Sequence, residues 1–307
     1  MTSLPTLTEW LTIPPGSPVA AVSFVATAAS LGMLATVYRS LRQTTLVPAW
    51  CWSAGAVLAI GTLQIAVGVL GPAIPRDAIA PLQMAVGALS FCPVLALLGA
   101  MRPQHTYWNF IVLSAWAMLA LPAAEAFFIN RGQRLEISAA RAWFLWIVIL
   151  PGPVNFAATR FVLPALLLAL AQIVLFSTYL PLIMRPLSGS LDVVGLTLIC
   201  LALGLALLAS RTERAANAGY DRVWLSFRDT FGMLWGLRFA ERVNAAAAQY
   251  GWDFTLTWNG FRQSNSGAAL GHMDPLVERT LRATLRGMLR RFVSPEWIAA
   301  RMGPDID

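Results

Sequence analysis

The chain has 307 residues, of which 57% belong to the set AVILMFWYC and only 12% are Asp, Glu, Lys or Arg. A water-soluble domain carries about 25% charged residues, so a chain this poor in charge could not cover its surface and reads as a membrane protein. Its net charge of +7 comes from 22 arginines and no lysine, which excludes a lysine Schiff base and a P-loop lysine.

The first 16 residues lack the basic start of a cleavable signal peptide, and Trp10 beside Glu9 reads as an interfacial anchor. A hydrocarbon layer about 30 Å thick needs roughly 20 apolar helical residues. Seven segments qualify: 17–38, 46–71, 81–101, 108–128, 142–158, 161–184 and 192–210. The expected fold is an all-α integral membrane bundle of about seven transmembrane helices over 17–210. A small, basic C-terminal α(+β) extramembrane domain follows over 211–307.

Arginine placement sets the expected orientation. With the N-terminus outside, the cytoplasmic side holds Arg39, Arg42, Arg102, Arg160, Arg211 and Arg214, with Arg222 and Arg228 close behind. The outer side holds Arg76, Arg131, Arg134, Arg141 and Arg185. The bias favours a bacterial-type inner (plasma) membrane protein, N-terminus out and C-terminus cytoplasmic.

Inside the spans, ionisable residues are costly unless paired, and Glu125 in the fourth segment is the one read there. It is placed to pair with Arg131, Arg134 or Arg141. The fifth segment contains Pro151-Gly152-Pro153-Val154-Asn155, which cannot continue a regular helix. Such breaks mark binding sites in transporters, and Gln172 is expected at similar depth. Glu125, Pro151, Gly152, Pro153, Asn155 and Gln172 are therefore the candidate ligand-binding residues.

Past residue 210 the composition changes: 13 of the 22 arginines and 10 of the 15 acidic residues fall in 211–307. Residues 215–250 read as a helix whose apolar face switches at Gly232-Met-Leu-Trp-Gly236, its first half lying on the membrane surface. Trp252 to Trp258 alternate as a strand, and Asn259-Gly260 signals a tight turn, but the return run is too polar to predict a partner strand. Asp274-Pro275 caps a helix running to about Phe292. Its polar face carries Arg279, Arg282, Arg286, Arg290 and Arg291, with Glu278 spaced to pair with Arg282. Anionic headgroups attract such a stripe by roughly 1 kcal/mol per arginine. Lipid, a membrane-protein partner or a second copy of the chain are the expected partners; no nucleic-acid motif is present.

No cofactor or metal site is expected. Cys51, Cys92 and Cys200 are isolated in apolar segments, and His105 and His272 lie in polar stretches, outside the spans. No GxSxG or HExxH occurs. The sequence points to a non-enzymatic sensor, scaffold or accessory subunit. The alternative is a permease for an uncharged or apolar molecule, with its site at the fifth-span break.

Overall fold

The computed structural model describes residues 17–70, 73–101, 105–129, 135, 137–183, 191–211, 219–269 and 273–302. Trp10, Arg102, Arg131, Arg134, Arg185, Arg214 and His272 lie outside the described residues.

Helices α1 (Ser17–Leu41) and α2 (Val47–Leu70) form an antiparallel pair, apolar around the whole circumference. Small residues let them approach: Ala20 lies against Gly68, and the Thr27 side chain covers Gly61 so closely that no Cβ fits. Helix α3 (Arg76–Gly87) passes through a 3-10 turn at Ala88–Phe91 into α4 (Cys92–Leu98). Pro93, which has no backbone donor, sits in the first turn of α4 and accounts for the interruption. Then come α5 (His105–Phe128), α6 (Ala139–Ile149), α7 (Pro151–Phe156), α8 (Val162–Leu175) and α9 (Leu191–Arg211).

Among the described residues, six stretches are long and apolar enough to cross a membrane: Pro18–Leu41, Val47–Leu70, Asp77–Leu98, Tyr107–Phe128, Ala139–Phe156 and Asp192–Arg211. The sixth expected segment differs. Its helix, α8, stops after 14 residues, and the chain continues in turns through Leu182. Phe24, Phe110, Met118 and Ile147 are exposed on the outside of the bundle, where hydrocarbon suits them. Indole groups tie the helices together from within. Trp50 donates to the Leu34 carbonyl (2.8 Å), Trp108 to Leu95 (2.7 Å) and Trp116 to Ala85 (3.0 Å).

Residues 220–302 form a unit stacked on the bundle. Helix α10 (Tyr220–Tyr250) bends at Gly232, whose φ of 77° and ψ of −170° lie in a region only glycine adopts readily. The bend lets both faces that the sequence pattern shows be buried. The first half does not lie on the membrane surface: Leu225 through Asp229 are buried, Phe227 in the unit's own core and Ser226 and Asp229 on the side toward the bundle. Strands β1 (Phe254–Thr257) and β2 (Gly260–Gln263) pair antiparallel, Phe254 opposite Gln263. The polar return run holds as a strand because Phe261 alone fills the inner face and its amide donates to Asp221 (2.7 Å).

Helix α11 (Pro275–Leu289) starts where Asp274 accepts from the Leu276 amide (2.7 Å). Its Leu281, Leu285 and Leu289 are buried, as are Trp297 and Ile298 of α12 (Pro295–Met302). Phe227 sits at the centre, with Phe239 (4.8 Å) and Phe292 (5.2 Å) around it. Leu46, Leu97 and Ala100 of the bundle belong to this same core.

Three bundle connections meet the unit. Thr45 donates to the Phe292 carbonyl (2.8 Å) and Ser294 to that of Gln43 (2.7 Å), so the 42–46 connection pairs with the end of α11. The Trp235 indole donates to Leu97 (3.1 Å) and that of Trp258 to Ala158 (2.8 Å).

Gly232→Ala should destabilise the protein by about 1–3 kcal/mol or more, because the new Cβ would lie 2.8 Å from the Asn155 carbonyl oxygen as well as in a disfavoured conformation. Gly287→Ala, in an open helical position of α11, should be neutral or stabilising by up to about 1 kcal/mol. Thermal unfolding in non-ionic detergent, followed by tryptophan emission, measures both.

Candidate functional site

A bent helix leaves backbone groups without helical partners, and a buried amide side chain can satisfy a donor and an acceptor together. Asn155 does this. Its Oδ1 accepts from the Leu234 amide (2.9 Å) and its Nδ2 donates to the Phe231 carbonyl (3.4 Å), spanning the bend at Gly232. The fifth-span break thus lies against α10, near the end of its span, and the chain stays helical across it: Leu150 has φ −60° and ψ −36°. Pro151 and Pro153 are half-buried and occupy the first turn of α7, where missing donors cost least.

Beside Asn155 lies an ionic cluster. The Arg228 guanidinium donates twice to Asp229 Oδ1 (2.9 and 2.7 Å) and once to the Trp258 carbonyl (2.8 Å). From the bundle, Arg160 brings its Nε to 3.3 Å from Asp229 Oδ2, with its guanidinium 5.1 Å from the Phe161 ring. Arg228 and Asp229 are 7% and 6% exposed, burial that charges tolerate only when paired.

These groups close one end of a cavity of about 540 Å³, a size typical of small-molecule sites. Its walls come from α1, α2, α4, α8 and α9, with Leu34, Val57, Val94, Leu168, Ile199 and Leu203 along them. Gly152 and Phe156 of α7 also line it. At that same end, Ser226, Asp229 and Thr230 of α10 and Trp297 and Arg301 of α12 form a roof, next to Arg160. Below the apolar walls the helices pack closely, Thr27 on Gly61, Ala20 on Gly68 and Leu175 on Gly195.

The other sequence-selected residues lie elsewhere. Glu125 makes a two-pronged pair with Arg141 (2.9 and 3.0 Å), one of the three partners its position allows. Gln172 donates to the Ser90 carbonyl (3.0 Å) in the 3-10 turn of the third span. Arg279 on α11 and Arg290 and Arg291 just past its end are exposed, whereas Arg282 and Arg286 are half-buried. Arg282 reaches the Met302 carbonyl (3.4 Å), and Glu278 accepts from the Tyr220 hydroxyl (3.1 Å). Burial holds that phenol above its ordinary range, with Glu278 adding to the effect. Near the roof, the Ser294 hydroxyl holds the Glu296 carboxyl below the usual carboxylate range.

Sequence reading missed Arg160, which looks like one more loop charge, and the Arg228–Asp229 pair. It also passed over Asp192, which accepts hydrogen bonds from Gln64 and Gln83 across the bundle. Among the described residues, no group of three or more His, Cys, Asp and Glu side chains comes together. The chain matches no family model, no curated protein and no solved structure, so geometry carries the functional reading.

Asp229→Ala should destabilise by about 3–5 kcal/mol, since it leaves Arg228 buried without its counter-charge. Combining it with Arg228→Met should cost less than the sum of the two single changes. Thermal unfolding of the three variants in detergent tests this.

Proposed function

We propose that this is a non-enzymatic sensor or accessory protein of a bacterial-type inner membrane, whose C-terminal unit reads the occupancy of the intramembrane cavity. One observation carries the reading: the same cavity is walled by spans and roofed by α10 and α12. An occupant therefore touches both parts, and any preference it has for one arrangement of the roof shifts the unit's conformation. Close packing of α1 on α2 and of α8 on α9 beyond the cavity favours occupancy over passage, which ranks a sensor above a carrier working at the fifth-span break.

In this reading the chain crosses the bilayer seven times, α8 and its following turns making the sixth crossing. The connections at 42–46, 97–101 and 156–161 all meet the C-terminal unit, as an odd number of crossings requires. That side is cytoplasmic. Arg290 and Arg291 precede the Phe292–Val293 stretch that pairs with 44–45, and Arg39 and Arg42 end α1 close by. All four are exposed, at the level where anionic headgroups would meet them. A partner protein or a second copy of the chain is the remaining candidate for Arg279, further along α11.

Two measurements test this. In a variant without Cys51, Cys92 and Cys200, a single cysteine at exposed Ser264 should react with a membrane-impermeant thiol reagent only in inverted vesicles. One at exposed Ala73 should react in intact cells, and labelling of both from the same side would overturn the topology. Ala206→Phe, which fills the cavity, should slow hydrogen exchange of residues 226–231 and 295–302 in detergent-solubilised protein. Unchanged exchange in both segments of the folded variant would overturn the coupling.

A further inference from the structure

The cavity is chemically asymmetric. Along the walls the side chains are mostly aliphatic, with Trp50, Ser53 and Ser90 among them, while the charged members of the lining, Arg160, Asp229 and Arg301, gather where the C-terminal unit closes it. The lining runs along α9 from Ile199 to Ser210, about 16 Å at 1.5 Å per residue, and is apolar from Ile199 to Ala206. That is a slot for an extended chain more than for a compact solute.

The charged end carries more positive than negative charge. Asp229 is the acidic member of the lining, and Arg228 already holds its Oδ1 through two hydrogen bonds. Arg160 approaches only the second oxygen, at 3.3 Å, and its buried Nε has no hydrogen-bond partner there. The Phe161 ring at 5.1 Å fixes the guanidinium at the cavity edge. A planar cation with an unused donor beside an apolar slot suits a carboxylate or phosphate oxygen at the end of a chain. A neutral head would leave that donor unpaired, and a cationic head would meet like charge.

We infer that the cavity binds a single-chain anionic amphiphile, a long-chain carboxylate or phosphate monoester. The chain lies between α1, α2, α8 and α9 and the head meets Arg160. The inference rests on the ligand-reading function proposed above and names the class of its ligand. The membrane itself supplies such molecules, and α7, with Gly152 and Phe156 on the cavity, places the fifth-span break beside the bound chain.

The test uses the full chain in uncharged maltoside detergent, with dodecanoate, dodecyl phosphate, dodecanol, dodecyltrimethylammonium and inorganic phosphate as separate probes. Both anionic amphiphiles should raise the thermal midpoint in a saturable way, and the other three should not. Arg160→Gln should weaken the anion response at least about tenfold, the loss expected for a charge-assisted hydrogen bond. Arg160→Lys should keep most of it, and Ala206→Phe should abolish it with the charge intact. A diazirine-bearing dodecanoate should crosslink to α1 or α9. An equal response to dodecanol, or a full response to inorganic phosphate, would overturn the inference, as would anion binding that Arg160→Gln leaves unchanged. Absence of binding by any chain would overturn it too, yet would leave the exchange result for the filled cavity standing. Anion binding without altered exchange would instead remove the sensing reading and keep the site.

Discussion

The arrangement depends on one buried amide. Helix α10 must turn at Gly232 to bury the two faces its sequence carries, and the turn strands a carbonyl at Phe231 and an amide at Leu234. Asn155, held two residues beyond Pro153, supplies a donor and an acceptor to that pair. Leaving either group unpaired in an apolar setting would cost about 1–3 kcal/mol. The fifth span and the C-terminal unit are thereby fixed to each other, and with them the roof of the cavity.

Around this contact the ionic groups add direction. Arg228 and Asp229 are neighbours in sequence, but their pairing matters because Arg160 enters from the bundle and Trp258 contributes its carbonyl. A buried pair of this kind is poor at raising stability by itself and good at specifying one arrangement. Its position also decides the chemistry of the cavity. Two of its three charged groups, Arg160 and Asp229, lie on the lining together with Arg301, so a mostly apolar slot acquires one end with more cations than carboxylates. The proposed ligand class follows from this asymmetry and not from cavity size.

The long helices were legible because hydrocarbon offers no hydrogen bonds, so the spans must be helical and apolar all round. Among the described residues six stretches stand where apolar runs place them, and α8 fell short, passing into turns after Leu175. The Asp274 cap, the Trp252–Trp258 alternation and the switch at Gly232 were equally readable, since each is a local rule about dihedrals or faces. Asn155, Gly152 and Gln172 stood out as residues beside a helix break. Their neighbours were not readable: Asn155 spans a bend 77 residues away, and Gln172 reaches Ser90.

By itself, then, the order of residues determined the solvent of each segment, the helical periods and the places where a helix must stop or bend. These depend on neighbours within a few positions. Which polar groups meet was decided only in three dimensions. Arg160 and Asp229 are 69 positions apart, and the cavity draws its lining from six helices of the bundle and two of the C-terminal unit. No local pattern encodes a void, because a void is what remains after distant surfaces have packed.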